Sequence, residues 1–430
     1  MTGASPTSRA VLEAEQIARL RALLAAVTAT NPFQKAKLAG TGLGADVASL
    51  AEFTARCPFT TKPELVADQA AHPPYGSNLT FPIERYSRCH GTSGTSGRPL
   101  RWLDTRKDWG RLLDQWGRVY AAAGVTAADR VYFAFSFGPF LGFWTAFEAA
   151  QRLGCLCLPG GGMTSAARLG AILDQRVTVL CGTPTYLLHL AEIASEEGIS
   201  LAASAVRHLI VAGEPGGSVP ATRAALEAAW PGARVHDHHG MTETGPVSCE
   251  CPARPGVLHV IEAAYFAEVV APDTGRPVPP GAAGELVLTT LTRPGSPLLR
   301  YRTGDLVRAE VPVPACACGS AELALVGGIL GRVDDMVVVR GVNVYPSAVD
   351  ALVRARPEVA EYRATVTRDG ALAELLVEIE PAPGADGAAL AAVLAGDFQT
   401  ALALRVPVRA VTTGSLPRFE HKARRWVRAG

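Results

Sequence analysis

Lysine is scarce in this sequence. Five occur in 430 residues (Lys35, Lys37, Lys62, Lys107 and Lys422), and arginine supplies the rest of the 41 cations. A surplus of charge is missing as well: 40 anions leave a formal charge of +1, which excludes electrostatic capture by nucleic acid or an anionic membrane. No apolar run reaches the roughly 18 residues that a membrane span needs. The N-terminus carries no basic-then-apolar leader, so a soluble, cytoplasmic protein is the expectation. The pattern G-x-x-x-x-G-K-[ST] is absent, which excludes a P-loop kinase. Nine cysteines, an odd number without a leader, argue against a disulfide framework. What remains is a globular chain, 48% hydrophobic and 19% charged, long enough for two or three domains.

Hydroxyls and glycines are plentiful, above all in Cys89–Pro99, CHGTSGTSGRP. Its centre joins Thr92, Ser93, Gly94, Thr95, Ser96 and Gly97 to a cation, Arg98. A polyphosphate needs backbone N–H groups that approach closely, short hydroxyl donors and positive charge, and this stretch offers all three. An exposed, flexible Ser/Gly linker is the competing reading.

The rest of the chain alternates helix and strand. Arg9–Val27 has helical spacing, and FTTKPEL (Phe59–Leu65) reads as a helix start with Thr60 or Thr61 as N-cap and Pro63 early in the helix. Arg101–Ala123 is expected to be helical. Strands at Arg130–Phe137, Cys155–Leu158, Val177–Cys181 and Arg207–Val211 alternate with helices at the spacing of βαβ units, which predicts a parallel sheet. Gly284–Arg302 reads as strand, turn, strand. Beyond Gly331, helices at Ser347–Arg356 and Gly387–Arg405 and strands at Arg363–Thr367 and Glu374–Glu380 predict a compact α+β unit. The fold class expected is α/β: a large N-terminal domain of mixed sheets and helices (1–332) and a small α+β C-terminal domain (333–430).

Several of these stretches carry a resemblance. Thr92–Pro99 resembles the phosphate loop of adenylate-forming enzymes (acyl-CoA synthetases, adenylation domains, luciferase), with Arg98 in place of the usual lysine. His239-Gly240-Met241-Thr242-Glu243, Tyr301-Arg302-Thr303-Gly304-Asp305, Gly331–Met336 with VVVRGVNVYP, and the terminal GSLPRFEHKARR resemble further motifs of that superfamily, in the same order. From TNPFQKAKL to HKARR, the chain is similar to the phenylacetate–CoA ligase branch.

The resemblance implies a large adenylate-forming domain followed by a small mobile one, and ATP-dependent activation of a small, aromatic carboxylic acid to acyl-AMP. It places Gly213, Glu214 and Pro215 beside the adenine. His238, His239, Gly240 and Met241 also line the nucleotide, with His239 in place of a purine-packing tyrosine. Thr242 donates to a phosphate oxygen, and Glu243 offers a hard carboxylate to Mg²⁺. Asp305 accepts the ribose hydroxyls, Arg332 contacts ribose or phosphate, and Asp334 is the hinge. Lys422 stabilises charge on the acyl carboxylate and α-phosphate, whereas a basic solvated tail is the plainer reading of that segment. The bend carrying Phe137 and Phe140, with Gly240, is implied to line the acyl pocket, although Phe135, Phe137, Phe140 and Phe143 also suit a core.

Coenzyme A is the expected acceptor, with a carrier-protein thiol or an amine as alternatives, and a homodimer is left open. A nucleotide-binding protein without catalysis is the competing class, against which Glu243, Asp305 and Lys422 count. His236, His238 and His239 allow a metal site. Cys249, Cys251, His259, Cys316 and Cys318 suit Zn²⁺ or reduced structural thiols. The branch resemblance selects Cys251, His259, Cys316 and Cys318, with Cys249 as the alternate, in a structural role.

Overall fold

In a computed structural model, which describes residues 8–92, 99–312, 315–340, 342–369, 372–419 and 423–429, the βαβ spacing becomes a five-stranded parallel sheet. Its order is Leu156–Pro159, Arg130–Phe133, Val179–Gly182, His208–Val211, Arg234–Asp237. The three inner strands are short and almost wholly apolar because both faces are covered. Helices Ser165–Asp174, Pro184–Glu196 and Pro220–Ala229 bury Leu169, Leu187, Leu190 and Leu226 on one face, and Trp116, Tyr120 and Ala149 pack on the other. Thr164 and Thr183 cap two of these helices with their side chains.

A second, antiparallel sheet runs Ser248–Glu250, Val257–Val260, Ala324–Val326, Tyr301–Glu310, Ala283–Thr290, Tyr265–Val270, with Gly331–Arg332 also pairing against Tyr301–Glu310. From Val337 onward a third sheet and the helices Pro346–Arg354 and Gly387–Leu402 close over a core of their own, around Val349, Tyr362, Val377 and Phe398. Among the described residues, no helix is long and apolar enough to cross a membrane.

Two expectations are corrected. Arg101–Thr105 is a strand paired with Tyr86–Gly91, not the first turn of a helix. The helix begins at Arg106, where Thr105 Oγ1 accepts from Asp108 N–H at 3.1 Å and Asp108 Oδ2 accepts from Thr105 N–H at 3.2 Å. The strand at Arg130 stops at Phe133 rather than Phe137, because Phe135 N–H turns back to Phe133 O at 2.9 Å and the chain leaves the sheet.

Candidate active site

The glycine- and hydroxyl-rich loop hangs from the hairpin of Tyr86–Gly91 and Arg101–Thr105. Thr92 closes its neck: the Thr92 N–H donates to Leu100 O at 3.0 Å, and Thr92 Oγ1 accepts from Leu100 N–H at 3.0 Å. Ser93, Gly94, Thr95, Ser96, Gly97 and Arg98 lie outside the described residues. Just before the neck, Gly91 N–H donates to Pro139 O at 2.9 Å, tying the hairpin to the aromatic bend. Phe137 packs there against Phe133, Phe135, Trp144 and Phe147, while Phe140 meets Phe143 edge-on.

Phe59–Leu65, in sequence only a helix start, reaches the site. Thr60 clips onto the strand Tyr301–Glu310: its N–H donates to Arg300 O at 3.0 Å and its O accepts from Arg302 N–H at 2.9 Å. The helix Lys62–Ala71 starts beside that clip, with Thr61 N–H held by Glu64 at 2.7 Å. Lys62 Nζ therefore stands 3.4 Å from Oε1 of the buried Glu243, and the Tyr301 hydroxyl lies 3.5 Å from the same oxygen. Arg293, buried and bidentate to Asp104 at 2.6 and 2.7 Å, donates to Thr242 O at 3.0 Å and Glu243 O at 2.9 Å. A buried cation thus fixes the backbone of the Thr242-Glu243 pair. Close approach explains Gly240: a Cβ there would sit 2.9 Å from Gly245 O, across the short pairing of Gly240–Met241 with Gly245–Pro246.

Asp305 is the centre of a second group. His239 Nε2 lies 3.0 Å from Asp305 Oδ2, and Arg332 Nη1 donates to Asp305 Oδ1 at 3.0 Å. Arg332 also holds Asp334 through two contacts, at 2.8 and 3.0 Å. Gly304, at φ +77°, makes this turn; a Cβ there would meet Arg332 Nη2 at 2.6 Å. Burial alone would raise the Asp305 carboxyl, but His239 and Arg332 outweigh it and hold the group below its ordinary value. It is an anionic acceptor ringed by donors.

The three histidines diverge, so no single metal site joins them. His236 meets His208 at 3.1 Å, His238 lies edge-on to Trp116, and His239 faces Asp305. Burial lowers His238 to about 3, and its Nδ1 has no partner among the described residues. Both carboxylate oxygens of Glu214 are engaged: one accepts from Thr185 N–H at 2.8 Å, the other from Ala423 N–H at 2.9 Å. Lys422 itself lies outside the described residues.

Away from this site, Cys251, His259, Cys316 and Cys318 place one donor atom each within 4.8 Å of one another. Cys251 Sγ is 3.7 Å from Cys316 Sγ, and Cys318 Sγ is 3.4 Å from His259 Nε2. His259 Nδ1 lies 3.1 Å from Glu322 O, which fixes the ring with Nε2 toward the thiols. Burial would raise the Cys316 thiol, yet the Cys318 N–H and His259 bring it down to about 6. Cys249, the alternate, packs instead into the cluster of Trp116 and Phe133.

Two family models match the chain: AMP-binding enzyme over residues 92–291, and AMP-binding enzyme C-terminal domain over residues 341–428. The chain is 36% identical over 376 residues to a phenylacetate-coenzyme A ligase of Thermus thermophilus, covering 86% of this chain and 82% of that one. It is 29% identical over 426 residues to the phenylacetate-coenzyme A ligase of Escherichia coli, covering 96% and 93%. Among solved structures, 2-hydroxyisobutyryl-CoA ligase in the postadenylation state with 2-HIB-AMP superposes with a TM-score of 0.92 at 31% identity, covering 99% of this chain and 91% of that one. The same ligase in the thioesterification state, with 2-HIB-AMP and CoA, gives 0.74 at 32% identity over the same shares of each chain. The arrangement described here thus superposes better on the postadenylation structure of that ligase than on its thioesterification structure.

Proposed function

We infer the function from one premise: this chain belongs to the AMP-binding enzymes, in their phenylacetate–CoA ligase-like branch. It is an AMP-forming acid–CoA ligase. ATP and a carboxylate give acyl-AMP and pyrophosphate; the thiol of coenzyme A then attacks the acyl carbon, the bond to AMP breaks, and a proton is released with the thioester. The acid–CoA ligases named above do not favour a carrier-protein or amine acceptor.

The observation that carries the reading is convergence. Residues 62, 243, 301, 305 and 332 draw together through the contacts of Glu243 and Asp305, and Ala423, next to Lys422, reaches the sheet edge at Glu214. Ligands of open α/β sheets bind at that carboxyl edge. In our assignment Asp305 takes the ribose, His239 and Arg332 set its charge, Thr242 meets a phosphate, and Lys422 stabilises the developing charge. Glu243 suits Mg²⁺, since its carboxylate already attracts the Lys62 ammonium; the ion would supply charge neutralisation at the phosphates.

Three thiols and an oriented imidazole suit structural Zn²⁺, and we assign Cys251, His259, Cys316 and Cys318 to it. We place the domain boundary between residues 332 and 333, the hinge at Asp334, and the protein in the cytoplasm, where nine unpaired thiols are at home.

The acid we assign is a small aromatic carboxylate, on the strength of the ligases named above and of the aromatic wall around Phe137 beside the hairpin. A small hydroxy acid is the second reading, favoured by the unpartnered Nδ1 of the neutral, buried His238. Pyrophosphate exchange with phenylacetate, other aryl acids and 2-hydroxyisobutyrate, with and without CoA, tests both. Exchange with aryl acids and thioester only with CoA is expected, and Lys422→Ala should abolish exchange yet still convert supplied phenylacetyl-AMP. No exchange with any acid would sink the reading.

A further inference from the structure

Glu214 joins two parts of the chain 209 residues apart. Its Oε1 accepts from the N–H of Thr185, in the first turn of the helix Pro184–Glu196, where backbone donors lack intrahelical partners. Its Oε2 accepts from Ala423 N–H, the backbone donor that directly follows Lys422 in sequence. Thr185 is held a second time from the C-terminal unit: both Arg425 Nη atoms lie 3.5 Å from its hydroxyl, while the same guanidinium grips Glu361 at 2.6 and 3.0 Å. Arg418 adds an ion pair to Glu192 of the same helix at 3.6 Å. One carboxylate with a backbone donor on each oxygen therefore sits at the centre of the joint.

We propose that Glu214 is a positioning residue for the adenylation step: it clamps the backbone beside Lys422 to the edge of the parallel sheet, and releases it when the C-terminal unit turns for thioester formation. This rests on the function proposed above. The arrangement in which the clamp is closed is the one matching the postadenylation state rather than the thioesterification state. Charged acceptors bind N–H groups about twice as strongly as neutral ones. Replacing Glu214 by Gln turns one of its two acceptors into a donor facing an N–H, so one half of the clamp is lost without a change of shape.

The test compares wild type with Glu214→Gln in three measurements: acyl-AMP formation from ATP and phenylacetate, thioester formation from supplied phenylacetyl-AMP and CoA, and X-ray scattering of the ligand-free protein. The clamp predicts an adenylation kcat lower by about tenfold, with ATP KM and the thioester step each within about twofold. It also predicts a scattering profile shifted away from the arrangement described here. Equal losses in both steps, a rise in ATP KM alone, or unchanged scattering would each overturn it. A wild type inactive toward every acid fails the function proposed above instead, and the scattering comparison still decides the clamp.

Discussion

Lys62 shows how a single side chain escapes a reading of local sequence. The resemblance gives a role to Lys422 and none to Lys62, whose FTTKPEL setting reads as ordinary capping. Its meaning comes from Thr60, which fastens the segment to a strand 240 residues later and so brings the ammonium to Glu243. Because the Lys62 side chain is 44% exposed, the pair adds at most about 1 kcal/mol to stability. Its use is electrostatic, next to the carboxylate assigned to Mg²⁺. Lys62→Ala should therefore lower kcat/KM for acyl-AMP formation by about tenfold, a barrier change of ~1.4 kcal/mol, with no matching fall in melting temperature. Lys62→Arg should recover part of the loss. A variant that melts early and loses both half reactions alike would make Lys62 a structural residue.

At the scale of elements, periodicity found the parallel sheet because its strands and helices repeat locally. It missed the strand Arg101–Thr105, which is too short to show its own period, although the Thr105-x-x-Asp108 capping pattern marks where the helix begins. Only pairing with Tyr86–Gly91 makes that segment a strand, and such pairing leaves no local mark. The thiol cluster is the complementary case. Its residue types were legible, but their meeting depends on Val257–Val260 lying between Ser248–Glu250 and Ala324–Val326, which brings His259 and Cys251 under the Cys316–Cys318 turn. If zinc holds this corner, the purified protein should contain about one zinc per chain, bound by a closed four-ligand set. Cys316→Ser should remove most of it and lower the melting temperature by roughly 3–5 °C, the shift expected for a few kcal/mol in a chain of this size. Metal analysis and a thermal melt check this; protein that purifies without zinc, or a variant that melts like the wild type, would refute it.

At the scale of the molecule, the two halves are joined by Arg332 as well as by Glu214. Its guanidinium links Asp305, on the antiparallel sheet, to Asp334, the residue assigned as hinge. The motif order made two units legible, but not their relation, since the contacts that Glu214, Thr185 and Glu192 make across the joint couple residues far apart in sequence. A hinge absorbs a large backbone rotation at very few residues. Proline fixes φ near −65° and removes that freedom. Asp334→Pro should thus leave acyl-AMP formation within about threefold, since the arrangement described here is the one that superposes on the ligase's postadenylation structure, and slow thioester formation from supplied phenylacetyl-AMP by tenfold or more. Asp334→Ala separates the lost carboxylate from the lost rotation: it breaks the contact to Arg332 yet keeps the backbone free, so its thioester step should stay faster than that of the proline variant. If alanine and proline slow the same step equally, the carboxylate matters and the hinge lies elsewhere.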